Sequence, residues 1–552
     1  MSAPLPPSPP PDTVVKNRFL GFLIWQSITS TTIFFLFKAF TCLSLQENAS
    51  LSSSKAYFLA QLFVSIFVFL TFQLSQLLFS AALAAVSSPK PFPFASPLQI
   101  LTALIRFLFA SGGDTGDFHR RLKVSVGFIL FLTTTTASGL ASLVSVFGSS
   151  FGLVEDGDMM RLIWRVGFRG FVIGLVYGLF YVYKKRWILE FPIIQRPPFF
   201  RFKMGLPSAI KNALKLSSAA HLISAVLLMF LPEPFNSHMT TGKFFSEQII
   251  IYIGSFLVFL CWELSHHLHQ VVYTKRFIFA PPKGSAAAET NPSEPLLEAL
   301  EESPPGTLPL YLAYLDLCMV CENNVDTWRR AAVFEETSET YKRVIAVCLT
   351  PLEQLTCILG EALEGGSVDK GYHLSCQLQS PLETLNSKYC EAFRNFQQYS
   401  WCARSAAALT ARSYKEDRYG VAQLSGSNAT VISTLLSCLL AVEASMGKKT
   451  NLQPLNQFIG PANIKWATMN VGRRDVLMAK KKSGPVHSES FAMSDVLRTS
   501  IYIIVSTFQN EMISSAKSGL LEKDWIISSK PSFGTHELLQ QKLRLFLDFQ
   551  AS

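Results

Sequence analysis

Six long apolar runs between residues 19 and 274 constrain this chain more than any other feature. A helix needs about 17 to 25 mostly apolar residues to cross a bilayer, and short polar loops separate runs of at least that length. The runs are Phe19–Leu45, Tyr57–Val86, Val124–Phe147, Gly167–Tyr183, Ala213–Leu231 and Gln248–His267. Unpaired backbone polar groups are not tolerated in lipid, so continuous runs of this kind indicate helices. We therefore predict a membrane domain with six transmembrane helices over residues 19–274.

The distribution of charge predicts how these helices are oriented. Charged residues make up 16% of the chain, against about 25% in a typical globular domain, and the formal net charge is +10. The first, third and fifth loops are poor in cations, with Lys55, Arg161, Arg165 and Lys243. Most cations of this region flank the first and last runs or lie in the second and fourth loops: Lys16, Arg18, Lys90, Arg106, Arg120, Arg121, Lys123, Lys184, Lys185, Arg186, Arg196, Arg201, Lys203, Lys211, Lys275, Arg276 and Lys283. Because cytosolic loops are enriched in Lys and Arg, we predict that both termini face the cytosol. Asn48 then begins a glycosylation sequon on the opposite side, and whether it is used stays open.

The remainder of the chain has the composition of a soluble, helical protein. Residues 1–18 are rich in proline and are predicted to be a disordered cytosolic tail. Residues 275–308 are rich in Pro, Ala, Glu and Ser and are predicted to be a flexible linker. Residues 309–552 are predicted to be a cytosolic or pore-facing helical domain. Its periodic segments are Leu310–Cys321, Ser338–Leu363 (kinked or broken at Pro351), Ser380–Ala411, Ala429–Ser445, Ser494–Ser518 and Thr535–Phe549. The predicted fold class is all-α: a polytopic six-helix transmembrane bundle followed by a cytosolic all-helical domain.

Two of the cation-rich loops also have the composition of membrane-interface segments. Residues 97–110 are apolar but too short to span a bilayer, and residues 187–202 read WILEFPIIQRPPFFRF. Aromatic side chains prefer the headgroup region and arginines prefer anionic phosphates. The predicted membrane-interface residues are Arg106, Trp187, Arg196, Phe199, Phe200, Arg201 and Trp262. Ordinary juxtamembrane anchoring accounts for them equally well, so whether these segments bend the membrane stays open.

The fourth run carries three glycines at strict four-residue spacing, Gly170, Gly174 and Gly178. Small residues at this interval form a flat stripe on which another helix can pack closely. The third run offers small residues between Ala137 and Ser142 as a partner surface. We predict helix packing at the three glycines, with packing inside the bundle favoured and homo-oligomerisation left open.

Few side chains within the runs could carry chemistry. His221 lies alone in the middle of the fifth run; in the sixth, Glu263 and His267 are four residues apart, close to His266 and His269. Residues at this spacing share a helix face and could bind a metal, but amphipathic side chains are ordinary where a helix leaves the membrane. The chain has no phosphate-binding loop, nucleophile elbow or zinc-protease motif. We therefore predict no catalytic, cofactor-binding or metal-binding residues, no cofactor and no enzyme.

Ten cysteines are present, and Cys318 and Cys321 have C-x-x-C spacing. No second cysteine or histidine pair follows them at the spacing of a zinc site. In a reducing compartment we expect packed helical thiols rather than disulfides.

Several sequence features together resemble one known family. They are IQRPPFFRF after the fourth run, WELSHHLHQVV at the end of the sixth, NRFLGFLIWQSI at the first and the terminal KLRLFLDFQAS. With six spans and a helical C-terminal half, they resemble the pore-membrane nucleoporins of the nuclear division cycle protein one type, in their plant branch. The resemblance implies a structural anchor of the nuclear pore complex in the pore membrane of the nuclear envelope, which supports pore assembly and insertion. Its implied partners are the lipid bilayer and, through the C-terminal domain, scaffold and membrane-ring nucleoporins, without direct nucleic-acid binding.

Two other functions stay open on the sequence alone. A transporter or channel would need a polar cavity around His221, Glu263 and His267. A lipid-modifying enzyme of the endoplasmic reticulum would use His266, His267 and His269 near the headgroups. The scarcity of charge within the runs favours the anchor.

Overall fold

The computed structural model of the protein describes residues 11–45, 55–91, 116–148, 156–230, 241–282, 284–336, 338–364, 392–447, 485–527 and 529–551. Within these ranges every regular element is a helix, and one isolated bridge joins Ser88 to Ile188. The predicted all-α fold class is therefore confirmed. The chain divides into two compact units, Asp12–Lys275 and a second that holds Arg276–Ser552. We call them the membrane unit and the C-terminal unit.

Six long helices of the membrane unit coincide with the six predicted runs. They are α1 (Pro11–Leu45), α2 (Lys55–Val86), α3 (Gly116–Gly148), α4 (Asp156–Tyr183), α5 (Pro198–Met229) and α6 (Thr241–Tyr273). The shortest has 28 residues and, at 1.5 Å per residue, is about 42 Å long, against about 30 Å for the hydrocarbon core of a bilayer. Each helix is therefore long enough to cross the core and reach the headgroups.

Length and hydropathy also select two helices outside the membrane unit, Glu339–Leu363 and Ser427–Gly447. Their apolar windows are 56% and 67% buried, the same fractions as in α4 and α6. Burial therefore does not separate the two groups, and the number of six spans remains a prediction.

The outer surface of the membrane unit is apolar. Trp25, Phe63 and Phe67 are 59%, 71% and 71% exposed, whereas Phe22 and Phe79 are completely buried. Water-soluble proteins rarely expose contiguous apolar patches of more than a few hundred Å². The helices thus present large apolar side chains both to one another and to the lipid.

Uncharged polar side chains connect the helices inside the bundle. Between α2 and α3, the hydroxyl oxygens of Ser75 and Ser142 are 2.6 Å apart, and the Gln76 amide donates to Ser142 at 3.0 Å. Between α1 and α2, Ser30 donates to the Gln73 carbonyl at 2.9 Å. Such hydrogen bonds link transmembrane helices without placing a charge in lipid.

The C-terminal unit is a packed set of shorter helices. They are α7 (Ala286–Thr290), α8 (Glu294–Glu302), α9 (Leu308–Glu322), α10 (Thr327–Ala331), α11 (Glu339–Glu364), α12 (Phe396–Glu416), α13 (Val421–Leu424), α14 (Ser427–Gly447), α15 (Pro485–Thr507), α16 (Gln509–Lys517), α17 (Leu521–Trp525) and α18 (His536–Ala551). Four predicted segments coincide with α9, α11, α14 and α18. The α11 helix continues through Pro351. The predicted segment Ser494–Ser518 is instead two helices that meet at an angle of 78°. The buried Phe508 lies between them and packs on Trp525.

The segment 275–308 differs from the expected flexible linker. Phe279, Leu296, Leu297 and Leu300 are buried, and α8 packs on α9 and α11. The apolar side chains of α8 recur at helical spacing and cover the C-terminal unit. From Arg276 onward this segment is part of that unit.

Some sequence predictions fall outside the described residues. They concern residues 1–10 of the expected tail, Asn48, the interfacial segment 97–110 with Arg106, and residues 380–391 of the predicted segment Ser380–Ala411. Residues 11–18, which we expected to continue the disordered tail, instead form the first turns of α1.

Candidate functional site

One end of the membrane unit brings together the start of α1, the ends of α4 and α6, residues 184–197 and the start of α5. We call it the basic end. The Arg18 guanidinium donates to the carbonyl oxygens of Val272 and Tyr273, both at 2.7 Å, and of Lys275 at 2.6 Å. The last carbonyls of a helix lack partners within it and carry partial negative charge. Arg18 therefore caps α6 and connects α1 to α6, the first and last helices of the membrane unit.

A carboxylate and a guanidinium form a buried ion pair at this end. Both terminal nitrogens of Arg186 donate to Glu263, with Nη2 at 2.9 Å from Oε2. The Glu263 side chain is 1% exposed, and the Asn212 amide lies 3.4 Å from the same oxygen. Removing one partner of such a pair costs about 3–5 kcal/mol because the other charge is left buried. Glu263 is thus occupied in holding residues 184–197 against α6.

The three histidines at the end of α6 contact three different neighbours. His267 Nε2 lies 3.2 Å from the Phe202 carbonyl oxygen at the start of α5. His269 Nε2 lies 3.3 Å from the Ser87 hydroxyl oxygen after α2, and the His266 ring meets Tyr181 of α4 edge-on at 5.5 Å. Among the described residues no three His, Cys, Asp or Glu side chains come together as metal ligands would. The arrangement packs helices and forms no common site.

The predicted interface residues divide into buried and exposed groups. Trp262 is buried and stacks on Phe79, with ring centroids 4.8 Å apart. Trp187 is buried against Phe128, and its backbone takes part in the bridge to Ser88. Both tryptophans therefore contact protein rather than lipid.

The other predicted interface residues lie around the start of α5. Arg196, Phe199 and Phe200 are exposed. Arg201 is turned inward: it donates to the Thr274 hydroxyl at 2.6 Å and lies 3.4 Å from the Glu190 carbonyl oxygen. Arg201 thus connects α5 to the end of α6, and the exposed three form the outer surface.

The glycines of α4 face α3. A Cβ atom on Gly170 would lie 2.7 Å from the Gly139 carbonyl oxygen, and one on Gly174 would lie 2.3 Å from the Thr135 carbonyl oxygen. On Gly178 it would lie 2.6 Å from the Leu132 side chain. The stripe is covered by α3 within the same chain, so its surface is not free for a second copy.

A further glycine allows a close approach that the sequence did not reveal. A Cβ atom on Gly205 would lie 2.0 Å from His267 Nε2. The His267 ring also stacks on Phe202, with centroids 5.5 Å apart. Because Gly205 has no side chain, the imidazole can lie directly on the backbone of α5.

Comparison with known proteins identifies the family. A family profile described as Nucleoporin protein Ndc1-Nup matches residues 166–364 and 374–512. This chain belongs to that family. It is a nucleoporin, with the role in the nuclear pore and the apolar transmembrane helices that the resemblance implied. A comparison with curated proteins found no match.

The match includes most of the basic end of this nucleoporin and continues into a buried ionic network in its C-terminal unit. Asp316 of α9 is fully buried and accepts from Arg276 and Arg329, both at 2.8 Å, and from the Phe279 amide at 3.0 Å. Sequence reasoning missed this network. The sequence feature that could have indicated it is the single carboxylate, Asp316, in the apolar run LPLYLAYLDLCMVC. A carboxylate in a helix that is buried on all sides requires a partner.

The cysteines of the same helix are packed thiols. Cys318 and Cys321 are both buried, and burial raises the pKa of the Cys318 thiol to about 12. A thiol with such a pKa is protonated near neutral pH and is a poor nucleophile and metal ligand.

Proposed function

We propose that this nucleoporin is a membrane anchor of the nuclear pore complex. In this proposal α1–α6 hold the chain in the pore membrane, both termini and the basic end face the cytosol, and the C-terminal unit binds scaffold and membrane-ring nucleoporins. Support for pore assembly and insertion belongs to the same proposal.

The main support is the division of the chain at residue 275. One unit exposes apolar side chains suited to lipid, and the other is a separately packed helical unit of the size of a protein-binding domain. The C-terminal unit also has a cavity of about 300 Å³ between α11 and α14, with Ile345 and Leu349 among its lining residues and Lys342 and Glu353 beside them. A groove of this mixed character suits a protein partner.

The ionic contacts of the basic end argue against the alternative functions. A transporter or a lipid-modifying enzyme would need Glu263 or the histidines available to a substrate. Glu263 is paired with Arg186, and the histidines contact separate helices. We therefore propose no transport or catalysis at this end.

Truncation after Lys275 tests the anchor. Cutting there, rather than near residue 308, removes the C-terminal unit whole, because Phe279 and Leu296 are part of its core. We expect the tagged residues 1–275 to insert in the nuclear envelope without concentrating in puncta at its rim, whereas the full chain does so. Protease protection of tags at each end of the full chain tests the orientation.

Puncta formed equally by residues 1–275 would place the anchoring contacts in the membrane unit and refute this assignment. A protected terminus in the full chain would refute the proposed orientation.

A further inference from the structure

The surface formed by residues 193–204, which we call the α5 entry surface, is unusually apolar for an exposed segment. Ile193 is 85% exposed, Phe199 71% and Met204 62%, whereas Phe191 just before them is buried. Exposed apolar side chains recur farther along α5 at Ile210 and Leu214, and Phe199 and Ile210, eleven residues apart, lie on the same side of the helix. The α5 entry surface is therefore continuous with the part of α5 that faces lipid.

The same surface is positively charged. Arg196 and Lys203 line a cavity of about 610 Å³ together with Pro197, Phe200 and Met204. Arg196 donates to the Met204 sulfur at 2.7 Å, which is a weak acceptor. Among the described residues no carboxylate lies within ion-pair distance of Arg196 or Lys203.

The surrounding sequence has the same imbalance of charge. Residues 184–215 contain eight Lys and Arg residues and one carboxylate, Glu190. Internal contacts occupy Arg186 and Arg201, which bond to Glu263 and to Thr274. Arg196 and Lys203 are both exposed, so their charge is available to an anion.

We propose that the α5 entry surface binds an anionic phospholipid at the membrane face. Arg196 and Lys203 contact the lipid phosphate and its anionic headgroup, while Phe199 and Phe200 lie among the upper acyl chains. A lipid fits better than a soluble anion because the cations are set within exposed aromatic and aliphatic side chains. This inference rests on the proposed membrane placement of the basic end and adds a lipid class to it.

Native mass spectrometry of the full chain in detergent tests the proposal, with phosphatidylserine and phosphatidylcholine as probes. The variant carries Arg196→Gln and Lys203→Gln, and the matched control carries Lys517→Gln and Lys523→Gln, which remove the same charge from exposed positions of the C-terminal unit. Each cation near an anionic surface contributes about 1 kcal/mol. The variant should therefore bind phosphatidylserine about thirtyfold more weakly, with phosphatidylcholine binding and the control unchanged.

Three results would overturn the proposal. The first is equal binding of the two lipids by the unmodified chain. The second is an equal loss in the control, which would indicate a general effect of net charge. The third is complete competition by inorganic phosphate, which would indicate a site for soluble anions. None of these affects puncta at the nuclear rim, so failure of the lipid site and failure of the anchor are distinguishable.

Discussion

Replacing Asp316 by Ala should destabilise the C-terminal unit far more than removing exposed carboxylates of the same unit. Asp316 is completely buried, and its two oxygens accept three donors, from Arg276, Arg329 and the Phe279 amide. Arg329 is 2% exposed, so without Asp316 its charge stays in the interior with one fewer partner. Removing one partner of a buried pair costs about 3–5 kcal/mol, a large part of the roughly 5–15 kcal/mol that stabilises a typical domain.

Cys318 gives a direct measurement of this loss in the full chain. It lies two residues from Asp316 on α9, it is buried, and its thiol pKa is raised by burial to about 12. Alkylation of Cys318 therefore requires the helix to open, and its rate follows the population of the open state. A loss of about 3–5 kcal/mol corresponds to labelling about 100- to 4,000-fold faster, which peptide-level mass spectrometry can follow for each cysteine.

Glu294 and Glu301 supply the matched control. They pair with Arg343 at 3.1 and 2.8 Å, but all three side chains are 30–51% exposed. Exposed ion pairs contribute about 0–1 kcal/mol, so replacing both by Ala should change Cys318 labelling by less than about tenfold per pair. Equal labelling in Asp316→Ala and the unmodified chain would refute the reasoning, as would an equal acceleration in the control.

Two glycine substitutions test close helix contacts in the membrane unit. Gly174→Leu should lower the thermal unfolding temperature of the full chain in detergent, because its Cβ would lie 2.3 Å from a backbone oxygen of α3. The control Gly127→Leu should have little effect, because a Cβ there meets nothing within 4 Å. Equal decreases in the two variants would contradict the α3–α4 contact. Gly205→Ala should be destabilising by about 1–3 kcal/mol, as overpacked sites generally are, and adding His267→Ala should restore part of the loss because that ring occupies the space of the new Cβ. An unchanged unfolding temperature in Gly205→Ala, or no recovery in the double variant, would argue against the observed position of His267.

Much of the fold could be predicted because lipid imposes a strong constraint on the sequence. A span must be long, continuous and apolar. The six predicted runs lie within α1–α6 apart from Phe230, which follows the end of α5, and Leu231, which lies outside the described residues. The structure of segment 275–308 was harder to predict, because a composition rich in proline and glutamate is typical of flexible linkers. Its signal was the spacing of Leu296, Leu297 and Leu300, which form one face of the short α8.

The contacts of the candidate site were harder to predict from the sequence than the helices. Trp187 and Trp262 have the residue type that membrane interfaces favour, but aromatic side chains also fill interiors, and here their burial places them in the core. Arg186 and Glu263 are 77 residues apart in the chain. Their pairing depends on how α4 and α6 pack, which no local pattern in a single sequence indicates.

Three arginines at the basic end join different parts of the membrane unit to the end of α6. Arg18, Arg186 and Arg201 each bond to α6 or to the residues that follow it, from the start of α1, the segment after α4 and the start of α5. A charged side chain that binds a carbonyl or a carboxylate across helices stabilises their arrangement most where water is partly excluded. A transport path would instead place such groups along a water-filled cavity. These contacts hold the start of α1, the segment after α4 and the start of α5 against the end of α6, which supports the membrane anchor proposed above over a transporter.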